Sequence, residues 1–122
     1  MENKRSVLVC DSDEAILQQI ETALGNEGYD VDILNDAAEL IPRVIRFHPS
    51  VVIVNPDMNG FNAYDVCKNI MKDSNIPLIL LLDAHSTTRA QVDECPADDV
   101  VTKPLKAELL VNLVAKHVSV NQ

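Results

Sequence analysis

Tryptophan is absent from this 122-residue chain, glycine occurs only three times, and aromatic residues account for 3% of the composition. Basic runs and basic–aromatic clusters are also missing, and the formal net charge is −9. Direct binding to nucleic-acid phosphates is therefore not expected. No apolar run approaches the roughly 20 residues of a membrane-spanning helix, and no signal-peptide pattern is present. The composition predicts a cytoplasmic protein that contacts neither nucleic acid nor a membrane.

Cysteine is scarce, and its three positions are widely separated. They are Cys10, Cys67 and Cys95. An odd number at such spacing excludes a fully paired disulfide framework and does not match a metal site. We therefore expect reduced, buried thiols that pack as small hydrophobic side chains. The histidines share no metal-ligand spacing either, and we expect all of them on the surface. They are His48, His85 and His117.

Short apolar segments of strand length recur along the chain. Four of them cover residues 6–10, 51–54, 77–82 and 99–101. The first three are continuously apolar, which is typical of strands buried on both faces of a sheet. A fifth segment, residues 29–34, alternates apolar and acidic residues, so one of its faces can meet solvent. This alternation predicts a strand at the edge of the sheet.

Amphipathic segments separate these strands and predict helices. An apolar stripe over residues 13–25 predicts the first helix. Asp36 with Glu39 resembles a capping box at the start of a second helix. Pro42 then falls inside that helix, at a cost of about 3 kcal/mol unless a kink absorbs it. Three further helices are predicted after residue 62, within 86–95 and around 109–118.

The alternation of five strands with five helices predicts an α/β fold. Its core is a doubly wound, five-stranded parallel sheet with helices on both faces. The length suits one domain, residues 1–122. In such open sheets, functional residues lie just beyond the carboxyl ends of the strands. These positions therefore hold the candidate site.

Four acids and one lysine follow the predicted strand ends. They are Asp11, Asp13, Asp57, Asp83 and Lys103. Such carboxylates can hold a hard cation, but acids in loops are more often simply solvated, and both interpretations stay open at this point. No glycine-rich phosphate-binding motif, serine nucleophile elbow or Cys/His pair is present at these positions. Nucleotide binding and catalysis are therefore not expected.

Four segments, taken in their order and spacing, resemble the receiver domain of bacterial two-component response regulators. They are "SVLVCDSDE", "EGYDV", "HPSVVIVNPDMNGFNAYDVCKNI" and "ADDVVTKPL". The similarity runs from about Ser6 to Val118. It implies the flavodoxin-like strand order 2-1-3-4-5 and a role in two-component or phosphorelay signal transduction. In this family a kinase phosphohistidine donates a phosphoryl group to an aspartate after the third strand, and a divalent cation is required.

Several site positions depart from the family pattern. The phosphoacceptor falls on Asn55, the second acid of the first-strand pair on Ser12, and the fourth-strand Ser/Thr on Leu82. Asp11 and Lys103 match the pattern, and we expect the two to meet. With an amide at the acceptor position, Mg²⁺ binding at Asp11 is expected to be weak or absent. No other cofactor is expected.

Two further features lie on or after the fifth strand. The aromatic residue that reports phosphorylation in the family falls on Val100. The resemblance also implies that the peptide bond between Lys103 and Pro104 is cis, a conformation that X–Pro bonds permit. Without the aromatic side chain and the fourth-strand hydroxyl, a phosphorylation event would lack its usual structural readout.

These departures predict a pseudo-receiver, a non-enzymatic protein-interaction domain that uses the receiver scaffold without phosphorylation. We expect it to bind a protein of its signalling pathway through the fourth helix, fifth strand and fifth helix. The alternative is a receiver phosphorylated at Asp57 with Mg²⁺. Asp57 lies two residues beyond Asn55, about 6.6 Å along an extended strand, and is expected to point past the acceptor position. A flavodoxin-like small-ligand domain has no motif in its favour.

Overall fold

The computed structural model describes residues 5–58, 75–84 and 97–120 of the chain. Five strands lie in these ranges: β1 (Ser6–Cys10), β2 (Asp30–Leu34), β3 (Val51–Val54), β4 (Leu78–Leu82) and β5 (Asp99–Thr102). Every neighbouring pair is parallel, and the order across the sheet is β2-β1-β3-β4-β5. The predicted sheet and its strand order are confirmed, and the alternating strand β2 lies at an edge.

Hydrophobic side chains cover both faces of the central strands. Three α-helices lie in the described ranges: α1 (Glu14–Asn26), α2 (Leu40–Phe47) and the C-terminal helix (Ala107–Val120). Successive strand residues point to opposite faces, so Leu8 and Val52 pack in the core cluster under α2. Val7 and Ile53 pack in the second cluster, under α1 and the C-terminal helix. The doubly wound architecture is therefore confirmed.

Helix α1 begins where the sequence predicts. The Asp13 carboxylate accepts hydrogen bonds from the backbone N–H groups of Ala15 (3.0 Å) and Ile16 (3.4 Å). These bonds satisfy two of the free donors at the helix start. The buried stripe of the helix is Leu17, Ile20 and Leu24. Asp13, one of the acids that follow the strand ends, is therefore a helix cap.

Helix α2 starts later than the sequence predicts. Asp36 accepts a hydrogen bond from the N–H of Ala38 at 3.0 Å, but it caps a short 3-10 helix (Ala37–Glu39), and α2 itself begins at Leu40. Pro42 is consequently the third residue of α2, where a backbone N–H would have no partner within the helix. The predicted interruption of a helix interior at Pro42 is wrong, because a proline in the first turn is tolerated.

The buried position predicted for Cys10 is confirmed. Burial, together with the neighbouring charge of Asp11, raises the pKa of its thiol to about 12.

His48 is exposed, as predicted. The surface prediction for His117 is wrong, because the C-terminal helix places this side chain against Asp99 at the start of β5. Its Nε2 lies 2.6 Å from Asp99 Oδ2, and 12% of the His117 side chain is exposed.

Several predicted features lie outside the described residues. They are the third and fourth helices, Cys67, Cys95 and His85. The last predicted helix is present as the C-terminal helix, whose buried residues are Leu110, Val114 and Val118. Within the described ranges, every helix is too short or too polar to cross a membrane.

Candidate functional site

The carboxyl ends of four strands place four polar side chains at one edge of the sheet. Each is the first residue after its strand: Asp11 after β1, Asn55 after β3, Asp83 after β4 and Lys103 after β5. Backbone hydrogen bonds extend one residue past the strands. The N–H of Asn55 donates to the Cys10 carbonyl at 2.9 Å, and the N–H of Lys103 donates to the Leu82 carbonyl at 2.8 Å. The sheet therefore sets the spacing of these side chains.

The four side chains form one closed network. The Lys103 ammonium lies 2.8 Å from Asp83 Oδ1 and 2.9 Å from Asp11 Oδ2. The Asn55 amide nitrogen donates to Asp11 Oδ1 and to Asp83 Oδ1, each at 3.2 Å. One ammonium and one amide thus bridge the same two carboxylates. The predicted meeting of Asp11 and Lys103 is confirmed, as is the cis peptide bond between Lys103 and Pro104.

The orientation of the Asn55 amide follows from its neighbours. Its nitrogen faces two carboxylates, and its oxygen accepts the backbone N–H of Asp57 at 2.8 Å. The reverse orientation would set the amide oxygen against both carboxylates and its NH₂ group against an N–H donor. Asn55 is 2% exposed, so water could not compensate for these unfavourable contacts. The amide is therefore held in one orientation.

Two carboxylates share one full positive charge in this site. Burial disfavours the charged form of Lys103, but the hydrogen bonds and charges of Asp83 and Asp11 outweigh burial and raise its pKa above 10.5. Lys103 is therefore an ammonium ion at neutral pH. Asp11 is fully buried. Its Oδ1 also accepts the N–H of Asp13 at 3.1 Å. Its Oδ2 is buried, and the charge on it is balanced by the ion pair with Lys103.

Two residues that the family resemblance assigns to the site lie elsewhere. Ser12 is exposed, and Leu82 is fully buried in the core cluster under α2. Asp83, the next residue after Leu82, contacts Asn55 and Lys103 instead. Its position directly after an apolar strand was the sequence signal for this role. The family pattern did not point to Asp83, because it assigns a hydroxyl to the end of the fourth strand and that position falls on Leu82.

Asp57 lies beside the network without joining it. Its backbone N–H donates to the Asn55 side-chain oxygen, which is an Asx turn. Asp57 is one of the residues that line a separate cavity of about 280 Å³, together with Ser12 and Asp36. Asp57 Oδ2 is buried and has no hydrogen-bond partner among the described residues. Among the residues that the structure describes, Asp57 makes no ion pair with Lys103.

The arrangement does not fit a magnesium ion. Mg²⁺ requires oxygen ligands in near-octahedral geometry, but Asn55 turns its nitrogen towards Asp11 and Asp83. The Lys103 ammonium already bridges the same carboxylates. Across residues 5–58, 75–84 and 97–120, no group of three or more His, Cys, Asp or Glu side chains is placed to hold a metal ion.

Comparison with known proteins gives the family. The response regulator receiver domain family matches residues 7–115. The DNA-binding response regulator MtrA of Mycolicibacterium smegmatis is 28% identical over 120 residues, which cover 98% of this chain and 53% of that protein. MtrA of Mycobacterium tuberculosis is 28% identical over 109 residues, which cover 88% of this chain and 48% of that protein. The chain thus spans about half the length of the curated relatives it matches.

Solved structures share the fold. The receiver domain of the Francisella response regulator 1452 has a TM-score of 0.85 at 24% identity, covering 98% of this chain and 100% of that one. The chemotaxis response regulator CheY4 of Vibrio cholerae has a TM-score of 0.80 at 19% identity, covering 94% of this chain and 99% of that one. Together with the family match over residues 7–115, the strand order and the Asp11–Lys103 pair, this leads to one assignment. The chain belongs to the response regulator receiver domain family.

Proposed function

We propose that this receiver domain is a protein-interaction module whose signalling does not depend on phosphorylation. The observation that carries the proposal is the double hydrogen bond from the Asn55 amide to Asp11 and Asp83. A phosphoacceptor must offer a nucleophilic carboxylate oxygen. An amide nitrogen has a delocalised lone pair, and here both of its hydrogens are engaged. The amide oxygen is also occupied, because it accepts the N–H of Asp57.

A second support is that the carboxylates of the site are already bridged by side chains of the chain itself. Phosphoryl transfer in receiver domains requires a divalent cation, which neutralises clustered carboxylates. Here Lys103 and the Asn55 amide bridge Asp11 and Asp83 directly. A cation would have to displace the ammonium and rotate the amide before it could bind. The network therefore favours a state that holds neither cation nor phosphoryl group, and we expect no enzymatic activity and no cofactor.

The proposed partner is a protein of a two-component or phosphorelay pathway. Val100 on β5 and Leu109 on the C-terminal helix are large hydrophobic side chains that remain exposed. Their exposure supports a contact through the fifth strand and the last helix, the surface that the family resemblance implies. The predicted fourth helix of that surface lies outside the described residues. The net charge of −9 argues against direct contact with nucleic acid, and we expect the domain to act in the cytoplasm.

Phosphorylation at Asp57 with Mg²⁺ is the second candidate. It is favoured by one observation, the buried and unpartnered Oδ2 of Asp57. Against it stands the position of Asp57, which lines the cavity with Ser12 and Asp36 and makes no ion pair with Lys103 among the described residues. Without Lys103, a phosphoryl group on Asp57 would lack the cation that balances its charge.

Intact-mass measurement after incubation with acetyl phosphate and Mg²⁺ separates the two candidates. We expect the wild-type chain to gain no phosphoryl group under conditions that label a receiver domain with an aspartate acceptor. Asn55→Asp is the matched variant, because it restores the carboxylate on the same scaffold. A wild-type adduct that maps to Asp57 and disappears in Asp57→Ala would overturn the proposal and establish the second candidate.

A further inference from the structure

A groove lies between helix α2 and the edge strand β2. Its volume is about 410 Å³, within the range of about 300–1,000 Å³ that is typical of ligand pockets. The residues that line it include Leu8, Asp30, Asp32, Arg43, Phe47 and Pro49. Strands β2 and β5 form the two opposite edges of the sheet. A partner in this groove would therefore lie at the other edge of the sheet from one that contacts β5 and the C-terminal helix.

The strand register places two carboxylates on the α2 side of the sheet. Asp30 pairs with Ser6 on β1, and Asp32 pairs with Leu8. Leu8 packs in the core cluster under α2. Paired residues of neighbouring strands, and alternate residues of one strand, share a face. The side chains of Asp30 and Asp32 therefore project towards the groove, two residues apart on the same strand.

One of these two carboxylates has a cationic partner in the described part of the chain. Arg43 Nη1 lies 2.7 Å from Asp32 Oδ2. Asp30 is exposed, and no ion pair reaches it from the residues that the structure describes. The three charged side chains of the groove named above thus carry two negative charges and one positive charge. The negative charge without a partner is that of Asp30.

The ring of Phe47 gives the groove an apolar wall. It is 56% exposed, while Leu40 and Val44 fill the buried side of α2. The guanidinium carbon of Arg43 lies 5.7 Å from the ring centre, within the range of cation–π attraction. Arg43 thus packs against the ring and pairs with Asp32 at the same time. Aromatic residues and arginine are enriched at protein–protein interfaces, so these side chains favour a protein partner over a small molecule.

We infer that this groove binds a partner protein through an apolar segment that carries one lysine or arginine. The cationic head of that residue pairs with Asp30, and its aliphatic stem packs beside the ring of Phe47, as such stems do on apolar surfaces. Arg43 makes the corresponding contacts, with Asp32 and with the ring, from within the chain. The inference does not depend on the chemistry of the Asn55 site.

The charge of the groove selects this partner over others. An uncharged apolar segment would take the Asp30 carboxylate out of water without a counter-charge, which costs free energy. An acidic segment, or a second copy of a chain whose net charge is −9, would add repulsion. A segment with several adjacent cations would meet Arg43 once the first of them had paired with Asp30. One cation beside apolar side chains is therefore the composition that leaves none of these charges unpaired.

Two peptides test the inference by NMR titration of the isotope-labelled 122-residue chain. They are acetyl-Leu-Lys-Leu-amide and acetyl-Leu-Gln-Leu-amide. We expect the lysine peptide to shift the backbone signals of Asp30 and Phe47 saturably. The glutamine peptide should bind about three-fold more weakly, because one exposed ion pair is worth roughly a factor of three. Asp30→Asn should bind both peptides equally, at the weaker affinity, whereas Phe47→Ala should weaken both and keep their ratio.

Glu21→Gln is the matched control. It removes the same charge as Asp30→Asn, but from an exposed position on α1, whose buried side chains pack on the other face of the sheet. This variant should bind both peptides as the wild type does. Because all three substituted positions are exposed, the circular dichroism of the variants should match that of the wild type.

Equal affinity of the wild type for the two peptides would overturn the inference, and so would an equal loss of binding in Asp30→Asn and Glu21→Gln. The same holds if neither peptide shifts the groove signals, or if the shifts appear only on β5 and the C-terminal helix. Groove signals that move with the concentration of the chain alone would assign the groove to a second copy. An Asp30 signal that moves in Lys4→Gln without peptide would assign the carboxylate to the chain's own N-terminal lysine. Either of these last two results also refutes the inference.

Discussion

The Asn55 amide can be tested by replacing its nitrogen with an oxygen. Asn55→Asp preserves the shape of the side chain, but it turns two hydrogen bonds into contacts between carboxylate oxygens. Both contacts start from distances of 3.2 Å, to Asp11 and to Asp83. The number of carboxylates in the network rises from two to three, while Lys103 remains the one positive charge. The exchange therefore adds charge without adding volume.

The repulsion that Asn55→Asp introduces is large compared with the stability of an ordinary domain. At an effective dielectric constant of about 20, two unit charges 3.2 Å apart repel by about 5 kcal/mol, and two such contacts form. Attraction to Lys103, side-chain movement and proton uptake each offset part of this repulsion. We expect a net loss of about 3–5 kcal/mol in the free energy of unfolding at neutral pH, the range typical of an uncompensated buried charge. That is a large part of the stability of an ordinary domain.

Urea unfolding in EDTA and in Mg²⁺ measures this loss. For Asn55→Asp, we expect Mg²⁺ to restore stability, because the cation supplies the missing positive charge. The gain should reach about 2.7 kcal/mol when Mg²⁺ is present at 100 times its dissociation constant. Wild type and Asn55→Ala, which adds no charge, should respond little to Mg²⁺. An Asn55→Asp chain within about 1 kcal/mol of wild type in EDTA, and indifferent to Mg²⁺, would refute the reasoning.

Two further predictions concern single charges. Lys103→Met should lower the free energy of unfolding by about 3 kcal/mol, measured in urea at pH 7, because it leaves Asp11 buried without its cation. Since the pKa of Lys103 is raised, the wild type should keep the stability that Lys103 contributes below pH 10.5 and lose it as the pH rises through the folded-state pKa. A Lys103→Met chain as stable as the wild type would contradict the ion pair. Asp99→Asn should flatten the acid limb of the stability curve. Burial opposes the charge of Asp99, but His117 and Lys116 lower its pKa below 3.8. The charged carboxylate therefore contributes to the free energy of unfolding above pH 3.8, and this contribution is lost as the pH falls through the folded-state pKa. Thermal unfolding from pH 2 to pH 6 tests this, and parallel curves for the two proteins would count against it.

The fold follows from patterns that depend on burial. The continuously apolar run at β3 and the acidic alternation at β2 predict a central strand and an edge strand, since each pattern records which faces meet solvent. Helix starts are less well determined by sequence. Asp36 makes the predicted capping bond, but one capping residue serves a 3-10 turn as well as an α-helix. The register of α2, and with it the position of Pro42, is decided by the packing of Leu40 and Val44 in the core.

The sequence predicts only part of the site. Asp11, Asn55 and Lys103 follow from matching the strand ends. Asp83 is also predicted as a residue that follows a strand end, but its contacts with Asn55 and Lys103 are not, because the family pattern assigns a hydroxyl to the fourth strand and places it on Leu82. The direction of the Asn55 amide is also absent from the sequence, since it depends on which atoms surround the side chain. His117 illustrates the same limit: a histidine on the rim of an apolar helical stripe can face solvent or, as here, an aspartate.

Asn55 and Asp83 are best understood as a pair. With an aspartate at both positions, the site would contain three carboxylates and one ammonium, and it would depend on a bound cation. With Asn55, the amide supplies donors to Asp11 and Asp83, and the ends of β1, β3, β4 and β5 are joined without any ligand. A ligand shifts a conformational equilibrium only by the difference in its affinity for the two states. A site whose two carboxylates are already bridged by an ammonium and an amide gives a cation or a phosphoryl group a smaller difference in affinity between the two states. The same contacts that join these strand ends therefore underlie our proposal that the domain signals without phosphorylation, with its regulation acting through its surface.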